Sequence, residues 1–308
     1  MSLHDFGNFG ERQTPSVKDF GYLAHLSIYD FAAKEVVGKS FLDVGTGTGY
    51  GASYIAEKSA GRVVGLERDA DLVAELNAAA TSVEYLQCDL DHGNLPVDEK
   101  FDIVFTSNVF EHVAYPDAIL AEFNRVVEGS GRLIFAVPPI PNIGMLRENA
   151  KNIFHINNLP WFVWQSKLER YFSAVKRFRH WVVDGKHIDN RQLIRDAITD
   201  VEHFAFSEVT RSDDDRFTIT AVFACDGPRA TPLPPSHEVG IPDEWRHLRV
   251  EADGRQQAFI ELNRRVDEAP DFIKKEIRDS IDWARAQDPS STEYTLRSLL
   301  DHLAMLSK

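Results

Sequence analysis

The sequence predicts an α/β protein built on a doubly wound, mostly parallel sheet, and three observations predict it. Apolar runs of strand length alternate with segments of helical spacing from about residue 40 to residue 137, which is the pattern of a parallel sheet with helices on both faces. The first run, Phe41-Leu42, passes into a glycine-rich turn, Asp43-Val44-Gly45-Thr46-Gly47-Thr48-Gly49, and then into a helical segment. The second run, Arg62-Val63-Val64-Gly65-Leu66, ends in an acid, Glu67.

The elements follow in order. Residues 16–37 carry Phe20, Leu23, Ala24, Ser27, Ile28, Phe31 and Glu35 at three-to-four spacing, and Gly38 provides a stop, so this segment reads as a helix. Strand one covers about 40–44, a helix 50–59, strand two 62–67 and a helix 70–80 with Leu72, Val73 and Leu76 inward. Val83 to Gln87 is strand three and Phe101 to Thr106 strand four. Pro116 to Val127 is a helix that opens on proline, tolerated in a first turn. Gly129-Ser130-Gly131 turns into strand five, Arg132 to Val137, which Pro138-Pro139-Ile140-Pro141 ends. Residues 142–158 read as an irregular lid or loop, 161–172 as a helix, 174–183 as strand six and 184–203 as an inserted helix. Phe217 to Cys225 is a last strand, or else pairs with 204–210 as a hairpin across Asp213-Asp214-Asp215.

Composition bounds the rest. The 308 residues are 43% hydrophobic, enough for one large core and a small appendage. The net charge of −14, from 48 acids and 34 bases, disfavours a phosphate-backbone partner. The densest basic segment is short: Lys176, Arg177, Arg179 and His180. Cys88 and Cys225 lie far apart, form no zinc signature, and read as buried free thiols. There is no signal-peptide core, and no apolar run approaches the ~18 residues of a membrane span. The expected setting is therefore the reducing cytoplasm.

The chemistry begins at the first turn. Glycine lacks a Cβ and tolerates positive φ, so backbone there can approach a ligand closely. The spacing is G-x-G-x-G; the dinucleotide fingerprint fails because Tyr50 stands where its third glycine belongs. This argues against a nicotinamide cofactor. Asp43 precedes the first glycine by two, where a pyrophosphate has no use for a carboxylate and an ammonium group does. Glu67, at the tip of strand two, can accept from both hydroxyls of a ribose. A nucleoside with a charged amino-acid tail fits: S-adenosylmethionine (SAM). Asp89, after strand three, is placed to accept from the adenine amine, with Leu90 against the ring. With Arg68 and Asn108 at the same strand ends, the expected cofactor set is Asp43, Gly45, Thr46, Gly47, Gly49, Glu67, Arg68, Asp89, Leu90 and Asn108.

Two histidines are candidates for the reacting end. Ser107-Asn108-Val109-Phe110-Glu111-His112-Val113 follows strand four, and Asn152-Ile153-Phe154-His155-Ile156-Asn157-Asn158-Leu159 follows strand five. Both lie where ligands of open α/β sheets bind. The candidate catalytic residues are His155, then His112, with Glu111. No paired Asp–Asp with ligand spacing stands at a strand end, so no metal is expected, with a metal-assisted sugar methyltransferase as the alternative. Trp161, Trp164 and Tyr171 offer aromatic faces to a sugar, although a helix-spaced stripe reads first as core.

At these motifs the chain resembles the class I SAM-dependent methyltransferases. More narrowly, it is similar to a bacterial group of them often found beside glycosyltransferases for surface polysaccharides. The resemblance rests on Gly10-Glu11-Arg12, Pro15 and His25 before the first strand, Gly49-Tyr50-Gly51, Glu111-His112-Val113, and Asn152 to Leu159. It covers about residues 7–183. Thr46 and Thr48 depart from the Cys and Glu common in that group, and 184–210 and the tail after 226 are unmatched. The resemblance implies a Rossmann-like fold: a seven-stranded, mostly parallel sheet with an antiparallel last strand. It also implies transfer of a methyl group from SAM to a hydroxyl of a sugar or glycan, in line, with a histidine general base and S-adenosylhomocysteine as product. The second reading is O- or N-methylation of a quinone-like or aromatic metabolite. A non-catalytic SAM-binding scaffold is a third.

The expected organisation is a helical segment, 1–38, covering the cofactor site; a SAM-binding domain, 39–226; a linker, 227–242, with five prolines in sixteen positions; and a helical extension, 243–308. The extension either packs on the domain or forms a homodimer interface.

Overall fold

The computed structural model describes residues 13–16, 18–59, 61–79, 82–149, 152, 155–183, 198–209 and 218–239. Gly10-Glu11-Arg12, most of the inserted helix, the acidic turn and the extension 243–308 lie outside these residues.

Among the described residues the elements are α1 (Phe20–Ala33), β1 (Phe41–Val44), α2 (Tyr50–Lys58), β2 (Val63–Glu67), α3 (Ala70–Ala78), β3 (Val83–Gln87), β4 (Phe101–Ser107), α4 (Pro116–Val126), β5 (Val127–Val137), α5 (Ile143–Asn149), α6 (Trp161–Tyr171), β6 (Phe172–Val182), β7 (Phe204–Glu208) and β8 (Thr220–Pro228). They form one sheet in the order β3-β2-β1-β4-β5-β8-β6-β7. β1 to β5 are parallel. β8 runs antiparallel to β5 and to β6, and β7 antiparallel to β6. The fold is the Rossmann-like methyltransferase fold.

The parallel strands are buried on both faces, which is why they read as continuous apolar runs. Alternate residues feed two cores. Leu42, Val64, Val104, Leu133 and Phe135 pack with α4 and α6, while Phe41, Val63, Ile103, Phe105 and Ile134 pack with α1 and α2. This period of two places Asp43 on the α1 face, beside Phe41 in phase. Helix α1 is capped by Asp19, whose carboxylate accepts from Tyr22 N at 2.9 Å. Its Tyr22, Leu23 and Ala24 reach past the parallel strands to Val182 and Phe204.

The sheet departs from the sequence reading in particular places. It has eight strands, not seven, because Phe204–Glu208 adds an edge strand to β6, with Val182 opposite Phe204. Residues 204–208 do not form a hairpin with β8. β8 is instead the seam between β5 and β6, where Arg132 of β5 faces Asp226 and binds it through Nε (2.6 Å) and Nη2 (2.9 Å). Strand five starts at Val127, so Gly129-Ser130-Gly131 lies within the strand rather than in a turn, inside the register shift between the pairs Phe101–Val127 and Ile103–Arg132. A Cβ on Gly131 would stand 2.8 Å from Asp102 O; the glycine serves strand approach. The expected irregular loop contains α5, which starts where Asn142 Oδ1 accepts from Met145 N at 3.0 Å.

The basic segment is taken up by the sheet. Arg177 is buried with its guanidinium 3.7 Å from the Trp161 ring centre, Lys176 pairs with Glu208, and His180 is fully buried against Phe206. Trp164 and Tyr171 are core. The proline-rich stretch folds back on α6. Arg229 N and Leu233 N donate to Tyr171 O and Arg170 O, and Glu238 pairs with Lys167 and Arg170. Both cysteines are buried free thiols. No helix among the described residues is long and apolar enough to cross a membrane.

Candidate active site

The cleft opens at the carboxyl ends of β1, β2, β3 and β4. Its walls include Gln13, His25 and Tyr29 from the N-terminal segment, Gly45 to Thr48, Glu67, Arg68, Asp89 to Asp91, Asn108, Val109 and His112. The turn after β1 curls over β2, with Gly45 N and Thr46 N both donating to Leu66 O at 2.9 Å. Gly45 has φ 83°, and a Cβ there would meet Val109 Cγ2 at 2.4 Å. Glycine therefore lets the two loops close on each other.

Glu67 is buried at the cleft wall. Its Oε2 accepts from Gly47 N (3.0 Å) and its Oε1 from Asp69 N (3.1 Å). Thr48 Oγ1 donates to Gln13 O at 2.8 Å, drawing the N-terminal segment over the turn. Asp89 Oδ1 accepts from Asp91 N at 3.0 Å and caps the short turn that carries Leu90. Asp91 Oδ1 accepts from Ala114 N at 2.6 Å, which ties the β3 loop to the β4 loop.

Two members of the predicted cofactor set stand behind the wall. Asp43 is 1% exposed, and both its carboxylate oxygens accept from Tyr29 Oη, at 3.2 and 3.1 Å. Burial raises its pKa to about 7, with the nearby Glu67 charge adding to the rise and the Thr46 hydroxyl beside it and the Tyr29 hydrogen bonds opposing it. Tyr29, which the sequence did not mark, holds the cleft position between. Gly49 (φ 73°) is the cap of α2 and packs on Tyr85 and Leu76. The other eight predicted members line the cleft.

Asn108 is the one described residue other than glycine with positive φ (52°). Such a conformation is held by its surroundings: its N donates to Ala136 O, and its Nδ2 contacts His25 Nε2 (3.3 Å) and Ser107 Oγ (3.2 Å). Burial lowers the His25 pKa to about 4, so its neutral Nε2 accepts from the Asn108 amide.

Beyond Asn108 the three catalytic candidates converge. Glu111 Oε1 lies 4.0 Å from His112 Nε2, and the rings of His112 and His155 stand edge to face with centroids 4.9 Å apart. One side-chain ligand atom from each of Glu111, His112 and His155 lies within 4.8 Å of the others. His112 lines the cleft, whereas Glu111 and His155 are not among its lining residues. Burial lowers the His155 pKa to about 4. Asn157 joins the two loops: its N donates to Glu111 O at 2.9 Å, and its Nδ2 donates to Phe110 O at 2.9 Å and to Val113 O.

Comparison with known proteins places this geometry. Residues 42–135 match the family model of a methyltransferase domain. This segment is similar to methyltransferase domains. The wall fits SAM: the Glu67 carboxylate sits beside the Gly47 amide, and Asp89 and Leu90 lie one strand further along. The chain is 31% identical over 156 residues to a protein of Mycolicibacterium smegmatis named as a probable S-adenosylmethionine-dependent methyltransferase, covering 49% of this chain and 58% of that one. It is 32% identical over 105 residues to a ubiquinone biosynthesis O-methyltransferase of Pseudomonas fluorescens, covering 33% of this chain and 45% of the other. The chain thus spans about half the length of these curated relatives. A SAM-dependent methyltransferase structure from Thermotoga maritima superposes with TM-score 0.50 at 20% identity, over 67% of this chain and 89% of that one, and shares the fold.

Proposed function

We propose that this protein transfers the methyl group of SAM to a hydroxyl of a sugar or glycan. When bound, SAM supplies a methyl group already made electrophilic by its sulfonium, so alignment of the acceptor does most of the work. Glu67 would hold the ribose and Asp89 the adenine amine, with Leu90 against the ring. Asp43 would act from behind the wall, orienting Tyr29 and setting negative charge near the amino-acid tail.

The observation that carries the reading is the convergence of Glu111, His112 and His155 at the cleft edge beyond Asn108. An amine can reach a sulfonium methyl unaided once neutral, whereas a hydroxyl has to lose a proton of high pKa. A carboxylate and two imidazoles at the place of transfer serve that need, and the general base expected from the sequence belongs to this cluster. The sugar acceptor is supported by the resemblance across residues 7–183. The second reading, a quinone-like phenol, is supported by the O-methyltransferase relative. The site would work in the cytoplasm, and residues 243–308 would pair two copies, which gel filtration of the full chain tests.

The deciding experiment is methyl transfer from labelled SAM to a panel of nucleotide sugars, glycans and substituted phenols. Turnover on sugars alone supports the first reading, and turnover on phenols alone replaces it with the second. SAM binding without turnover on any class supports the scaffold.

A further inference from the structure

We propose that Glu111, His112 and His155 form a site for one divalent transition cation, with Mn2+ and Zn2+ as the probes. The first support is distance. Donors bound at about 2.0–2.3 Å to one cation in tetrahedral geometry lie roughly 3.3–3.8 Å apart; these ligand atoms lie within 4.8 Å of one another, with Glu111 Oε1 and His112 Nε2 4.0 Å apart. Closing the difference needs side-chain rotations that draw the atoms together by up to about an ångström.

The second support is the shell behind the ligands. His155 Nδ1 lies 2.9 Å from Asn149 Oδ1, an oxygen that can only accept, so Nδ1 carries the proton and Nε2 the lone pair. Asn149 is itself oriented by donating to Asn158 Oδ1 at 2.6 Å, and Asn158 donates to His155 O at 2.5 Å. A ligating histidine is ordinarily fixed in this way, by donating its other ring N–H to an oxygen acceptor. Asn157 meanwhile clamps the loop bearing Glu111 and His112 onto the segment bearing His155. The ligands come from two loops held in one register.

The third support is position. Two imidazoles and one carboxylate suit transition cations better than Mg2+ or Ca2+, and three protein ligands leave coordination positions open. His112 belongs both to the cluster and to the cleft wall, so the open positions face the acceptor. With both imidazoles ligating, the cation takes over the task assigned above to a histidine base: an acceptor hydroxyl bound there ionises more readily. Its O–H bond breaks and the proton passes to solvent. The O–C bond forms as the C–S bond breaks with its electron pair on sulfur. The products are a methyl ether, S-adenosylhomocysteine and one proton, with the cation unchanged. That step rests on the methyl-transfer reading above; the binding site does not.

The test uses the full chain, stripped with chelator and titrated with MnCl2 by EPR and with ZnCl2 against a chromophoric chelator. One equivalent should bind. Glu111→Gln and His155→Ala should each weaken binding by at least ~10–100-fold, as should Asn149→Leu, the range seen for lost outer-shell partners. Asn149→Asp keeps the acceptor oxygen and should retain the cation. His155 and Asn149 do not line the cofactor cleft, so SAM calorimetry reports folding of these variants; if His155→Ala misfolds, the Asn149 pair decides. Binding well below one equivalent, or binding indifferent to Glu111→Gln and both Asn149 variants, overturns the site. Stoichiometric binding with methyl transfer unaffected by chelator overturns the activation step. Failure to bind SAM counts against the methyl-transfer reading and leaves the cation titration standing.

Discussion

Between β1 and β3 the cleft is walled by residues that follow directly on their own strand: Gly45 to Thr48 after β1, Glu67 and Arg68 at the end of β2, Asp89 and Leu90 after β3. Beyond β4 the site is assembled from separate segments. Glu111 and His112 come from one loop and His155 from another; Asn157 binds the two together, while Asn149 and Asn158 hold His155 within its own segment. The cofactor end is a local construction that parallel strands present in sequence; the acceptor end exists only once the two loops are pinned. Changes at the first end should therefore abolish ligand binding, and changes at the second should spare it and stop turnover.

The largest effect is expected at Gly45. Gly45→Val would force a branched side chain into φ 83° and into Val109, a strain of order 1–3 kcal/mol before ligand contacts are counted. Calorimetry should show SAM affinity reduced by more than about 100-fold. Near-normal affinity would mean that the turn does not cradle the ligand.

Next come His112→Ala and His155→Ala. Each should lower turnover by about 10²–10⁴-fold, the usual worth of a group that handles a reacting proton, and His155→Ala should leave SAM affinity unchanged. Equal turnover in both variants and wild type would erase the difference between the two ends.

Asp43 gives a smaller, pH-dependent effect. Its pKa is raised to about 7 in the ligand-free protein, and a nearby ammonium group favours the ionised form. SAM binding should therefore release a proton below pH 7, and affinity should fall as pH drops through that value, by at most about tenfold per unit. Because the folded pKa lies above the unfolded one, Asp43 favours the ligand-free fold most below about pH 4, and that contribution is lost as pH rises through about 7. Asp43→Asn should flatten both dependences, which calorimetry in buffers of different ionisation heat and thermal melts would show; unchanged profiles would remove Asp43 from the site.

The mildest change is Asn157→Ala, which removes the clamp on Phe110 O and Val113 O. It leaves two buried carbonyl groups short of a donor, at about 1–3 kcal/mol of stability, and should reduce turnover more than SAM affinity. Thermal unfolding and steady-state kinetics together separate the two.

Legibility followed the same division. Gly45 and Glu67 were readable because a strand end projects its next residues into the cleft whatever the rest of the chain does. Asp43 was recognised as chemically significant, but its depth was not, because the face it takes depends on α1 covering that side of the sheet. Tyr29 sat unmarked in a helical stripe, where an aromatic residue reads as core. Asn149 and Asn157 carried no signal beyond being amides in a loop. Residues 204–208 entered the sequence reading as a strand only in the hairpin alternative, and with the wrong partner, because the segment is short and pairs with β6 at the sheet edge.

The sequence by itself determined the parallel sheet, the glycine turn and the carboxylates at successive strand tips, since period-two burial and glycine's missing Cβ act locally. Only the tertiary structure decided that β8 runs between β5 and β6, that Asp43 lies behind Tyr29, and that His155 meets Glu111 and His112. Those outcomes depend on contacts between residues far apart in the chain, which no local pattern of side chains encodes.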